Sequence, residues 1–262
     1  MPEGHTIHRL ARDHRADLAG RPVAASSPQG RFAAGAERID GRVLERTEAF
    51  GKHQYWWFDS GEVLHAHLGL IGKWRRQPSE AAVAAGAVRL RLGGDDWTWD
   101  LSGPAVCELV TDDEVRSVVD RLGPDPLRAD ADPARFVDRV RRSKGPIGGL
   151  LLDQSVIAGV GNVYRAEVLW DLGIHPVRPG RSLSEIELLA IWAWLVRQLR
   201  LGVRRNRIVT VDPAELTTSI RQVRRGQGVA AYHQEACRRC GATFTTLEVA
   251  GRRIEACLAC QT

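Results

Sequence analysis

Two cysteine pairs near the C-terminal end constrain this chain more than any other feature. Cys237-x2-Cys240 and Cys257-x2-Cys260 are separated by 16 residues, the spacing at which four thiolates close a tetrahedral cage around a zinc ion. Such a cage leaves no open coordination position, so one structural Zn2+ is expected, bound by Cys237, Cys240, Cys257 and Cys260. Between the pairs, Thr243 to Val249 and Arg253 to Cys257 read as two strands joined at Ala250-Gly251-Arg252. The zinc would therefore fix a β-hairpin carrying an arginine at its tip, a group suited to grasping a phosphate. Four of the five cysteines fall in this last segment, which in a reducing compartment argues for a metal and against disulfides. Cys107 stands alone and is expected in the core.

Charge points the same way as the arginine. The chain carries a formal charge of +5 and a pI near 9.2, and its cations run along its length instead of forming a tail. That distribution favours a polyanionic partner over a membrane. No apolar run is long enough to span a bilayer and no signal-peptide core is present, so a cytoplasmic, nucleoid-associated monomer is expected. Only Lys52, Lys73 and Lys144 are lysines among 37 basic residues, which makes each of them informative. At 262 residues the chain exceeds the usual size of a single core, and two domains are expected.

The first residues, Met1-Pro2-Glu3-Gly4-His5-Thr6, carry a possible chemistry. Trimming of Met1 would turn Pro2 into a secondary amine, and an α-amino group titrates at roughly 7.7 to 8.0, so a neutral fraction exists near neutral pH. That amine can attack a masked aldehyde and form an iminium adduct. Glu3 beside it is a ready proton carrier. Thr6 to Leu18 has helical apolar spacing, which would mount this terminus on the front of a helix.

From Val23 to Cys107 short β-like runs separated by glycine-bearing turns predict a β-sandwich. Gly51-Lys52-His53 places a lone lysine at the mouth of the strand Gln54 to Phe58. His65 and His67 share one strand face and are read as packing or hydrogen-bonding groups, since no third ligand of suitable spacing is near. Leu68-Gly69-Leu70-Ile71-Gly72 is a glycine-flanked apolar tip, either a buried turn or a wedge for a base stack. Asp112 to Asp120 reads as a charged helix, and three prolines in residues 122–133 mark a linker. Beyond it Ala134 to Arg142, Ile147 to Asp153, Val163 to Leu172 and Leu183 to Leu201 read as helices, the last with Ile186, Leu189, Trp192, Val196 and Leu199 as its core stripe. Glycines between Gln154 and Asn162 let the backbone approach a ligand just where a helix begins, a phosphate site by its free amides.

Taken together, Met1-Pro2-Glu3-Gly4, Gly51-Lys52-His53, His67-Leu68-Gly69-Leu70, Leu122-Gly123-Pro124-Asp125-Pro126-Leu127, Asp153-Gln154 through Gly159-Val160-Gly161-Asn162-Val163-Tyr164, and the four-cysteine hairpin with Gly251-Arg252 and Cys260-Gln261 resemble the formamidopyrimidine-DNA glycosylase and endonuclease VIII family. The likeness covers nearly the whole chain and is closer to the endonuclease VIII branch in its actinobacterial form. It implies an α+β chain: a β-sandwich with flanking helices at 1–121, a linker at 122–133, a helix-two-turn-helix domain at 134–226 and a zinc hairpin at 227–262. It also implies a bifunctional DNA glycosylase and abasic-site lyase of base excision repair acting on damaged double-stranded DNA, with the lesion flipped out of the duplex. Pro2 would attack C1′, Glu3 would exchange protons with the opening sugar, and β- and δ-elimination would follow. Lys52 would bind phosphate near the lesion, Asn162 and Arg252 would hold the flanking phosphates, and Leu70 would fill the gap in the stack. Oxidised pyrimidines, and ring-opened purines, are the implied substrates.

The sequence departs from the family pattern at Thr6, where a glutamate is usual, at Gly148, often a lysine, and at the shortened approach Tyr232 to Cys237. Asp100 to Ala105 replaces the loop with which the formamidopyrimidine branch reads the opposite strand. Two other readings compete: a non-catalytic zinc-ribbon protein that binds nucleic acid, and a small metabolic enzyme with a structural zinc hairpin. Pro2, Glu3 and Lys52 have no purpose in the first, and the second lacks a cofactor fingerprint.

Overall fold

The N-terminal chain alternates inward and outward side chains at the two-residue period of a strand, and in the computed structural model it folds into two antiparallel four-stranded sheets. Residues 2–83, 86–224 and 226–262 are described. Two compact units result, Met1–Arg121 and Leu122–Thr262.

The first unit runs α1 (Gly4–Leu18), β1 (Ala24–Ser26), α2 (Ala33–Ile39), β2 (Leu44–Phe50), β3 (His53–Phe58), β4 (Val63–His67), β5 (Lys73–Pro78), β6 (Val88–Gly93), β7 (Trp97–Ser102), β8 (Val106–Val110) and α3 (Asp112–Val119). One sheet has the order β1-β6-β7-β5 and the other β2-β3-β4-β8. Leu44, Trp56, Phe58 and Leu64 of the second sheet share a core with Leu90, Leu92, Trp99 and Leu101 of the first, and α1 adds Ile7, Ala11 and Leu18. Strand β3 is buried on both faces: Trp56 and Phe58 enter that core, while Tyr55 and Trp57 turn the other way and are covered by Val115 of α3. Its continuous aromatic run follows from this double burial.

Two elements here escape the strand pattern expected from Val23 onward. Helix α2 buries only Ala36 and Ile39, too few to mark a periodicity. Strand β5 is an edge strand whose Lys73, Arg75 and Arg76 lie at or near the surface, and it is held by its pairing with β7 rather than by apolar content.

The second unit holds α4 (Pro133–Arg141), α5 (Ile147–Leu150), α6 (Asn162–Asp171), α7 (Glu185–Arg205) and the hairpin β9 (Thr245–Val249) and β10 (Arg252–Ala256). Of the expected linker 122–133, residues 122–132 precede the first helix without regular structure while Pro133 already begins it, yet Gly123, Pro124, Asp125 and Pro126 are buried, and Gly123 N–H donates to Gln154 O at 2.8 Å. A Cβ on Gly123 would lie 2.3 Å from the carbonyl carbon of Val156, so only glycine permits this approach. The helix expected over Ile147 to Asp153 stops at Leu150. Gly148 and Gly149 weaken it, and Leu152 and Asp153 close i to i−3 turns onto Gly149 and Leu150 instead.

The core stripe expected on α7 is corrected in part: Leu199 is buried as expected and Trp192 packs against the core. Leu188, Ile191, Trp194, Leu195, Leu199 and Gly202 face inward, whereas Ile186 is 81% and Leu189 42% exposed. The capping box of Ser184 and Glu187 starts the helix at a fixed point, and both rows of apolar residues have helical spacing from there. Packing against α4 and α6 turns the row through Leu188, Ile191 and Leu195 inward and leaves Ile186 in solvent.

Candidate functional site

Pro2 is half-buried and leads directly into α1, for which Glu3 is the N-cap. The Glu3 carbonyl accepts from Thr6 N at 2.9 Å and Ile7 N at 3.4 Å, and its side chain is fully buried. Removal of Met1 concerns a residue outside those described. Helix α1 is anchored to the sandwich by Thr47 Oγ1, which donates to Ala11 O at 2.5 Å, and by His14, 2.8 Å from Gln54 Nε2. The His14 ring lies among Trp56, Trp74 and Trp99, with centroids 4.1 to 5.3 Å away. Burial lowers His14 to about 3 and His5 to about 4, so both are neutral at physiological pH.

Lys52 occupies the two-residue turn Gly51-Lys52 between β2 and β3, where Gly51 has φ +59°. It is half-buried. Behind it the β3–β4 register sets His53 opposite His67 and Tyr55 opposite His65. His53 Nδ1 lies 3.0 Å from His65 Nε2, and His65 Nδ1 lies 3.0 Å from Glu108 Oε1. His67 Nδ1 accepts from Gly69 N at 3.2 Å. The histidines are thus engaged in hydrogen bonds, and among the described residues only the four cysteines gather as a metal-ligating group.

The tip between β4 and β5 is an exposed wedge. Leu70 is 61% and Ile71 82% exposed, flanked by buried Leu68 and Gly72. The short turn from β7 to β8 supports it: a Cβ on Gly69 would come within 2.8 Å of Ala105 Cβ, and Ile71 side-chain carbon lies 3.6 Å from the corresponding point on Gly103. The sequence singled out Leu70, but two apolar side chains project.

In the second unit Asn162 is the first residue of α6, and Gly161 takes the N-cap place with extended backbone. One turn on, the fully buried Arg165 donates to Gly148 O at 3.2 Å, Val249 O at 3.4 Å and Arg253 O at 2.8 Å. The helix of Asn162 and the hairpin of Arg252 are therefore pinned to each other. Arg252 opens β10 just after the turn Ala250-Gly251, both with positive φ, and its side chain is exposed. Glu167, buried on the same helix, accepts from the backbone N–H groups of Ala230, Ala231 and Tyr232, each at 2.8 Å, and from Thr210 Oγ1. It closes the neck of the arginine-bearing segment from 211 to 229. The sequence offered no signal for Arg165 or Glu167, because their partners lie far along the chain.

The four cysteines meet the geometric demand of a metal. Their sulfurs all lie within 4.8 Å of one another, with Cys237 and Cys260 3.9 Å apart and Cys240 and Cys257 3.5 Å apart. Tetrahedral Zn–S bonds of about 2.3 Å require sulfur separations of about 3.8 Å. Trp170 Nε1 donates to Cys237 Sγ at 3.3 Å, the kind of outer contact that orients a ligating thiolate. Gln261 fixes the last knuckle, accepting from Cys257 N at 2.8 Å and donating to Ile174 O at 2.9 Å.

Residues 1–101 match the N-terminal domain of formamidopyrimidine-DNA glycosylase and residues 122–213 its H2TH domain. Endonuclease 8 1 of Mycobacterium tuberculosis strain H37Rv is 47% identical, with all of both chains covered. The chain belongs to the formamidopyrimidine-DNA glycosylase and endonuclease VIII family. Endonuclease 8 of Salmonella schwarzengrund is 29% identical, again over the full length of both. The fold is that of Lactococcus lactis Fpg in complex with DNA containing N7-benzyl-Fapy-dG, with a TM-score of 0.80, 23% identity and 99% of each chain covered. The family's α+β architecture and its four-cysteine cluster are both present here. No helix among the described residues is long and apolar enough to cross a membrane.

Proposed function

We propose that this protein excises oxidised pyrimidines from double-stranded DNA and cleaves the resulting abasic strand, with Pro2 as nucleophile. The observation that carries the reading is the fully buried Glu3 at the N-cap of α1, directly beside Pro2. A buried carboxylate adjoining a terminal secondary amine is costly unless something is gained from it, and proton traffic at that amine is such a gain. The neutral Pro2 nitrogen attacks C1′ as the bond to the damaged base breaks; water protonates the departing base, and the proton shed by the nitrogen passes to the Glu3 carboxylate. Glu3 delivers a proton to the ring oxygen as the sugar opens to an iminium. The iminium acidifies the 2′-hydrogen, whose loss expels the 3′-phosphate, and a second elimination expels the 5′-phosphate. Hydrolysis of the iminium frees Pro2.

Lys52 supplies a cation for a phosphate near the lesion, Asn162 and Arg252 hold the flanking phosphates, and Leu70 enters the gap in the stack, aided by Ile71. Zinc, when bound by Cys237, Cys240, Cys257 and Cys260, cross-links the hairpin and takes no part in the chemistry. Within the second unit, residues 134–226 form the DNA-binding helical part and 227–262 the zinc hairpin.

Borohydride reduction on lesion-containing DNA tests this reading. Protein beginning at Pro2 should become covalently attached, and a variant with residues added ahead of Pro2 should not. Equal trapping of both, or none with either, would rule out the Pro2 amine. Absence of trapping together with tight lesion binding would leave the non-catalytic binder.

A further inference from the structure

The imidazoles behind Lys52 form an ordered chain whose proton positions follow from its partners. A carboxylate only accepts, so His65 Nδ1, 3.0 Å from Glu108 Oε1, carries a hydrogen. Burial lowers the pKa of His65, which keeps the ring neutral and leaves Nε2 as an acceptor. His53 Nδ1, 3.0 Å from that nitrogen, must then be the donor, and the lone pair of His53 is left on Nε2. His67 takes the other tautomer, because its Nδ1 accepts from Gly69 N. Tyr55 stacks on His65 with centroids 4.7 Å apart and a 14° interplanar angle, holding the ring plane in which the chain runs. The chain starts at Glu108 on the edge strand β8, crosses β4 and ends on β3 at the residue that follows Lys52. His53 directly follows Lys52 and pairs with His67 across the strands, and the charges of Arg121 and Lys52 both act on His53, that of Lys52 also on His67.

We propose that Glu108, His65 and His53 are positioning residues for Lys52: Glu108 fixes the tautomer of His65, His65 fixes that of His53, and His53 presents an uncharged acceptor nitrogen to the turn bearing the ammonium. An imidazole so held can accept from the Lys52 ammonium and adds no second cation to repel it. This rests on the reading of Lys52 as a phosphate-binding cation. None of the three touches DNA on this account, and each acts through the next.

The test combines nitrogen spectra with kinetics. Two-bond 15N–1H spectra of the imidazoles should show His53 protonated at Nδ1 in the wild type and in Glu108→Gln, whose amide oxygen also accepts. In Glu108→Leu that tautomer should be lost, and single-turnover cleavage of abasic-site DNA should slow about tenfold, the loss expected for one hydrogen bond of a network. Glu108→Gln should restore most of the rate. Because Glu108 is largely exposed on an edge strand, melting curves of both variants should match the wild type. In a Lys52→Ala background Glu108→Leu should have no further effect, since positioning acts only through the lysine. His53 protonated at Nε2 in the wild type overturns the chain. A tenfold loss that persists unchanged in Lys52→Ala overturns the link to Lys52. A fully active Lys52→Ala enzyme instead overturns the phosphate reading of Lys52, an outcome separate from the spectra.

Discussion

A histidine sealed inside a protein is a liability to acid, and His14 is sealed completely. Its pKa falls from 6.5 to about 3 through burial, so between those values the unfolded chain binds a proton that the folded chain refuses. The stability it contributes is whole above pH 6.5 and is lost as pH falls, by about 1.4 kcal/mol per pH unit at most for one group. His5, lowered to about 4, and His53, lowered to about 3, act in the same sense. The melting temperature should therefore fall between pH 6.5 and 4, and less steeply in His14→Gln; parallel pH profiles for the two proteins would assign the effect elsewhere. Pro2, Glu3 and Lys52 could be singled out from sequence because their neighbours along the chain carry their meaning. Arg165 could not. Its acceptors Val249 and Arg253 lie 84 and 88 residues away, and only packing reveals that this arginine holds the hairpin that carries Arg252.

At the level of elements, periodicity told helix from strand but not always which face is buried. On α7 two apolar rows satisfy the same period, and the exposed one contains Ile186. Ile186→Lys should change stability by no more than about 0.5 kcal/mol, while Ile191→Ala should cost about 2 to 5 kcal/mol in urea unfolding. A large loss from Ile186→Lys would restore the row read from the sequence. The hairpin was legible in outline from its cysteines, with strand ends shifted by one or two residues. What the cysteines did not reveal is their shared core. Val209, Val211, Val223, Ala230 and Ala231 pack with Cys237, Phe244 and Cys257, so the segment closed by Glu167 rests on the metal knuckle. Chelation or Cys257→Ser should thus expose backbone amides between 209 and 231 as well as those of the hairpin, as hydrogen exchange would report. Arg252→Ala should weaken DNA binding and leave the metal content at one zinc per chain, because the exposed Arg252 side chain is no ligand. Loss of zinc from Arg252→Ala would contradict this division of roles.

For the whole molecule the question is how a lesion is chosen. The first unit carries its apolar wedge on one tip and supports it with a three-residue turn, 103–105, between β7 and β8. Asp100, just before that turn, is buried and paired with Arg91 at 2.7 Å, so it serves the sheet and not a ligand. The turn itself offers Gly103, Pro104 and Ala105, with neither the arginine nor the aromatic side chain needed to read a base on the opposite strand. On the proposed function, selection would then fall to the ease of extrusion. Flipping costs a few kcal/mol and least for bases that stack badly. Saturated pyrimidines such as thymine glycol lose planarity and with it their stacking, whereas 8-oxoguanine stays planar. Leu70 and Ile71 would occupy the vacated space whatever the partner base, since apolar side chains read no hydrogen-bond pattern. Single-turnover rates on duplexes with each lesion opposite A, C, G and T should therefore rank thymine glycol and ring-opened purines well above 8-oxoguanine, with little dependence on the opposite base. Leu70→Ala and Ile71→Ala should each slow excision of intact lesions more than cleavage of preformed abasic sites, where no base resists extrusion. Fast removal of 8-oxoguanine opposite C with slow removal opposite A would show that a partner-reading contact exists outside the 103–105 turn.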